Sequence, residues 1–216
     1  RSPWIAVRLT TASWRRVTDD GRIGGEVISI DRQLGWLMSL SGTVLILGQT
    51  LPLLTQVTSF APWWNIGGAC VAAVIVLSAL LGRILPFGVV RAGWIAAPIT
   101  LAVLGLSTFL AYEGPDAAGL LPWAWTLEPT AVAFLVLWLR PWTATIAAVA
   151  SGALPAVSGL IFLGYVPTVV AEATPLHLSN VAFVVIFIGI RGRLVRLHRD
   201  ELDAQQLQER RERAVE

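Results

Sequence analysis

Pro62–Leu81 reads PWWNIGGACVAAVIVLSALL, without a single charged side chain. As a helix rising ~1.5 Å per residue it is about 30 Å long, the thickness of the hydrocarbon core of a bilayer. This stretch decides the fold class, because a soluble helix keeps a charged face and this one has none. Working outward, the same pattern recurs on both sides. Spans are predicted at Leu34–Leu54, Pro62–Leu81, Ala92–Tyr112, Leu121–Leu139, Trp142–Leu163 and Leu176–Ile190. The expected fold is an all-α membrane protein of six transmembrane helices. The fourth span carries Glu128 between Pro122 and Pro129, so a kink or an interfacial outer third is expected there. The sixth is short and is expected to run on as a helix beyond the membrane.

Composition agrees. Hydrophobic residues make up 55% of the chain and charged residues 14%, about half the share of a soluble domain. The charges crowd into the two ends. Between Gln33 and Ile190 the basic residues are Arg83, Arg91 and Arg140, and the acidic ones Glu113, Asp116, Glu128 and Glu172. Arg83 and Arg91 lie between spans two and three, and Arg140 between four and five. Arg191, Arg193, Arg196 and Arg199 follow span six. The alternate loops hold no Arg, and two of those three hold acids. Every loop then obeys the positive-inside rule if both termini are cytoplasmic. Tryptophan gives a second reading of the same layout. Trp36, Trp94, Trp138 and Trp142 fall at the predicted inner ends, and Trp63, Trp64, Trp123 and Trp125 at the outer ends, as two interfacial belts should. Ala144, Ala148, Gly152 and Ala156 recur at steps of four, a small-residue face on which another helix packs closely.

Three parts follow: 1–32, a polar, basic N-terminal segment; 33–190, the six-helix domain; and 191–216, a charged helix. In the first, Trp4, Ile5, Val7, Leu9 and Trp14 with Arg8, Arg15 and Arg16 suit a segment lying on the inner leaflet. In the last, Arg196–Asp200, Arg199–Asp203 and Glu209–Arg213 stand four apart with opposite charge. Leu194, Leu197, Ala204, Leu207 and Ala214 form a thin apolar stripe of near-heptad spacing. A helix with no capping signal at its end is expected to belong to a longer protein.

Catalytic chemistry is not expected in this chain, and neither a catalytic nor a metal site is assigned. Cys70 stands alone, and no phosphate-binding loop or zinc-protease motif occurs. Ser158-Gly159 with His177 raises the thought of an intramembrane serine protease, but small residues on membrane helices are ordinary packing elements. The candidate ligand-binding residues are Tyr112, Glu113, Trp123, Trp125, Glu128, His177 and Asn180, all expected near the outer surface as the wall of a vestibule. An ionisable group within a span faces the bundle interior or a wet cavity, which singles out Glu128 and His177. The candidate relay residues are Gly189, Gly192, Leu194 and Leu197, where the sixth span passes into the charged helix.

That helix reads Arg-Leu-His-Arg-Asp-Glu-Leu-Asp-Ala-Gln-Gln-Leu-Gln-Glu-Arg-Arg-Glu-Arg over 196–213. Short-looped spans, a basic inner edge and this helix together resemble the membrane-embedded sensor region of an actinobacterial sensor histidine kinase. The resemblance covers the topology and the last 25 or so residues. No phosphoacceptor box lies in the chain, since Arg199 stands after His198 where an acid is required. The resemblance implies a homodimer in the plasma membrane that detects an extracytoplasmic or intramembrane stimulus. Its sixth helix would relay the signal to a kinase core, which would use ATP and Mg and act on a cytoplasmic response regulator. The lipid bilayer is an expected partner and nucleic acid is not. A small transporter and a membrane anchor for another signalling enzyme are the competing expectations.

Overall fold

Prolines set most of the helix starts. The computed structural model describes residues 28–48, 50–114 and 122–215. The first helix, α1, covers 28–48, and α2 covers Thr50–Gln56 with a 3-10 turn Val57–Ser59 after it. Next come α3 (Pro62–Leu81), α4 (Phe87–Leu106) and the short α5 (Thr108–Ala111). A central segment, Trp123–Leu137, is built from a 3-10 turn, the short α6 (Glu128–Ala133) and a second 3-10 turn. Two long helices close the chain, α7 (Pro141–Leu163) and α8 (Thr168–Val215). Pro62 and Pro141 open α3 and α7, where their missing N–H costs nothing, and Ala61 and Arg140 before them are extended. Gly164 ends α7 with φ 78°, a left-handed conformation that suits glycine.

Among the described residues α3, α4, α7 and the Thr168–Gln205 part of α8 are long and apolar enough to cross a membrane. Their outer faces carry Leu80, Ile99, Ile146, Leu160 and Leu176, all more than half exposed. Water would penalise such a surface, whereas lipid is its natural solvent. The chain is therefore an all-α membrane protein.

The central segment is the hub. From Ala131 to Leu137 every residue is buried, as are Trp123, Ala124, Trp125, Leu127 and Glu128. Five helices reach it. Gly42 of α1 faces Thr130, and Gly68 of α3 faces the Trp123 indole. Trp94 of α4 stacks on Phe134, ring centroids 5.8 Å apart. Ala144 and Ala148 of α7 and Val184 of α8 pack against Val132, Leu135 and Val136. The small-residue face of α7 thus lies inside the bundle. Glycine is required at Gly35 and Gly68: a Cβ there would stand 2.3 Å from the Trp94 ring and 2.5 Å from that of Trp123. With no hydrophobic force between helices in lipid, such close approach is what holds them together.

Several expectations change. The first helix starts by residue 28, so 28–32 belong to it rather than to the polar N-terminal segment. The amphipathic reading of Trp4 to Arg16, and Asp116, lie outside the described residues. The third span does not run unbroken to Tyr112, because the helix breaks at Ser107. The Leu104 carbonyl at that break takes hydrogen bonds from the Trp64 indole (3.0 Å) and the Thr108 hydroxyl (2.8 Å). The sixth begins at Thr168 rather than Leu176 and carries Pro175 within it. Four of the tryptophans assigned to interfacial belts, Trp64, Trp94, Trp123 and Trp125, are core residues no more than 6% exposed. Trp63 and Trp142 do face outward, at 48% and 81%.

Candidate functional site

Glu128 opens α6 immediately before Pro129, and His177 sits in the third turn of α8. Nδ1 of His177 meets Oε2 of Glu128, and both residues are 4% exposed. Trp125 packs against Phe109 and Val170 and presents its ring edge-on to the imidazole, centroids 5.2 Å apart. The Trp125 indole N–H points to the Thr108 hydroxyl at 3.4 Å. On α7, Gly152 lies against the His177 backbone and Cβ; a Cβ on Gly152 would sit 3.4 Å from both. Gly152 is the middle residue of α7, so the pair lies half-way along that helix.

The seven candidate binding residues therefore divide. Trp125, Glu128 and His177 come together in the interior, and Asn180, buried one turn further along α8, joins that half. Tyr112 and Glu113 belong to the rim, whereas Trp123 is buried in the hub apart from the Glu128–His177 contact. Tyr112 stands edge-on to Phe60, and the Glu113 N–H bonds Ser59 O at 2.9 Å. The Trp123 N–H bonds the Gln56 side chain and its indole the Asn65 side chain. The two cavities described below are lined by none of these seven residues.

Chemically, an acid and an imidazole in contact compensate each other's burial between helices, where a lone charge costs several kcal/mol. Glu128 Oε1 and His177 Nε2 are also buried and have no hydrogen-bond partner among the described residues. Ser158 and His177 are not joined: the Ser158 hydroxyl accepts the Phe109 N–H at 3.3 Å, one of the amides freed by the break at Ser107. No group of three or more metal-ligating side chains occurs among the described residues.

A second polar contact lies at the arginine-rich end of the bundle. Arg191 of α8 grips Asp31 of α1 through Nε–Oδ1 at 2.6 Å and Nη2–Oδ2 at 3.1 Å. Sequence reasoning counted Arg191 only as an orientation signal and passed over Asp31. The available signal was an acid and a base at the same predicted membrane edge. Nearby, Arg32 donates to the Gly82 and Leu85 carbonyls just past α3, where a cation suits the helix dipole. Arg83 lies over the Trp36 ring, 3.8 Å from its centroid.

The relay candidates lie on one helix. Gly189 and Gly192 sit inside unbroken α8, and a Cβ at either would meet nothing within 4 Å. Leu194 and Leu197 are exposed, as is Leu207. The expected pairs Arg196–Asp200 and Arg199–Asp203 do not close; His198 instead reaches Glu201 at 3.4 Å. Such exposed pairs contribute little in any case. The side chains of Glu209 and Arg213 lie outside the described residues. Comparison of the chain with protein-family models, curated proteins and solved structures finds no match.

Proposed function

We propose that this chain is a membrane-embedded sensor module that passes a conformational change out of the bilayer along α8. The observation that carries the reading is the continuity of α8, a 48-residue helix holding both His177 and the exposed charged segment. At ~1.5 Å per residue it is about 72 Å long, more than twice the hydrocarbon thickness. One end is tied to the hub through Glu128, and the middle to α1 through Asp31. A shift of the hub against α8 therefore moves a rigid rod rather than a tether, the kind of element a two-state relay needs.

The topology belongs to the same proposal. We read six crossings with both ends cytoplasmic, the central segment being the fourth. With 3-10 turns rising ~2.0 Å per residue and α turns ~1.5 Å, Trp123–Leu137 reaches about 27 Å, close to a full crossing despite its shortness. The proposed setting is the sensor half of a two-component histidine kinase in the plasma membrane. Two copies would pair along Leu194, Leu197 and Leu207, and a kinase core using ATP and Mg would address a response regulator.

The test is Val195→Pro in the full-length protein. A proline inside an exposed helix costs about 3 kcal/mol and breaks the rod. Autophosphorylation is expected to lose its dependence on the membrane module while the protein stays in the membrane. Output identical to that of the parent contradicts the relay. A second reading, a small transporter, is favoured by the mid-helix Glu128–His177 pair with its two unpartnered atoms. Proton or cation flux in liposomes that disappears on Glu128→Gln would decide for it.

A further inference from the structure

Around Arg191 lies a cavity of 430 Å³ that the relay reading does not use. Its polar wall consists of Asp31, Arg91, Arg140 and Arg191, and its apolar wall includes Phe87 and Trp138. The three guanidinium groups come from separate places: the start of α4, the residue capping α7, and α8. Asp31 is already engaged with Nε and Nη2 of Arg191, which leaves Nη1 of Arg191 uncommitted. Arg91 and Arg140 are exposed and have no ion-pair partner among the described residues. Three cations against one carboxylate beside a low-dielectric surface repel one another, and an anion relieves that repulsion.

A second cavity of 260 Å³ lies between α4 and α7. Ile99, Ala102, Leu135, Ala147, Ala150 and Leu154 line it, and it opens toward the lipid. Trp138 and Leu139 belong to the walls of both cavities. A cationic pocket at the end of the bundle thus adjoins an apolar groove along its side, with Trp138 and Leu139 between them. The two halves match the two halves of one amphiphile.

We propose that this composite site binds one anionic phospholipid, its phosphate held by Arg91, Arg140 and Arg191 and one acyl chain laid in the groove between α4 and α7. Guanidinium groups give the phosphate charge-assisted, bidentate hydrogen bonds. The groove supplies dispersion contacts that a bulk lipid chain would otherwise make with its neighbours. The site shares Asp31 and Arg191 with the contact that ties α8 to α1, but its test replaces only Arg91, Arg140 and Ala150, so its failure leaves the relay reading untouched, and the reverse holds.

The experiment is native mass spectrometry of the full chain equilibrated in detergent with phosphatidylglycerol or with phosphatidylcholine of the same acyl chains. One phosphatidylglycerol is expected to stay bound while phosphatidylcholine is lost. Replacing both exposed arginines (Arg91→Gln with Arg140→Gln) is expected to weaken phosphatidylglycerol about thirtyfold, at roughly the attraction a basic residue has for an anionic surface. Ala150→Trp, on the exposed groove wall and away from the charges, is expected to weaken it as well. Equal retention of both lipids, or unchanged binding in the double arginine variant, overturns the proposal. Unchanged binding in Ala150→Trp also overturns it, as does displacement by inorganic phosphate as effective as by lipid.

Discussion

At the scale of residues, the Glu128–His177 contact is the most deeply buried acid–base contact among the described residues and so the most informative to disturb. Removing one partner of a buried pair leaves the other uncompensated, a loss of about 3–5 kcal/mol in protein interiors. Glu128→Met and His177→Leu, each alone, are expected to lower the thermal midpoint in detergent substantially. The double variant is expected to recover most of the loss, because two apolar groups of similar volume need no compensation. Additive losses would show that the two side chains do not act as a unit. The residue types were legible in the sequence, since an acid and an imidazole within apolar runs invite suspicion. Their partnership and depth were not. Glu128 and His177 are 49 positions apart, and nothing in a linear pattern says that α8 starts early enough to bring His177 opposite the middle of α7. The predicted start of the sixth span at Leu176 put His177 at its mouth, whereas α8 begins at Thr168 and carries His177 in its third turn.

At the scale of elements, the stretches Pro62–Leu81 and Trp142–Leu163 were legible almost to their ends, because length and apolarity suffice for a membrane helix. The central segment was legible only as an anomaly. Pro122 and Pro129 announced that it would not be a regular helix, but not that five others would enclose it. Tryptophan position misled for a related reason: depth along the membrane says nothing of whether a ring turns toward lipid or inward, and Trp64 and Trp94 turn inward. The glycines that admit these rings give a direct check. Gly35→Ala and Gly68→Ala are expected to cost about 1–3 kcal/mol each, as overpacking does, measured by thermal unfolding in detergent. Gly192→Ala, in open space on the same kind of helix, is expected to stabilise by about 0.5–1 kcal/mol. A uniform response at all three would mean that α1 and α3 do not pack closely against Trp94 and Trp123.

At the scale of the whole molecule, hub and rod explain one another. An irregular segment surrounded on all sides can be repacked only by moving its neighbours, and α8 is the neighbour that continues beyond the bundle. The alternation of arginines with acids between spans predicts that both ends share one side of the membrane. Impermeant thiol labelling of a cysteine placed at Ser29, in a Cys70→Ala background, is expected to follow the same sidedness as one placed at Gln208. Opposite sidedness would require an odd number of crossings. The most direct measurement is the electron-spin distance between labels at Ile186 and Leu207 in that background, in lipid nanodiscs diluted so that only one copy is labelled. A continuous α8 predicts a single narrow distribution near ~32 Å, from 21 steps of ~1.5 Å. A broad or much shorter distribution would mean a joint at the membrane boundary, and a rod that carries no signal out.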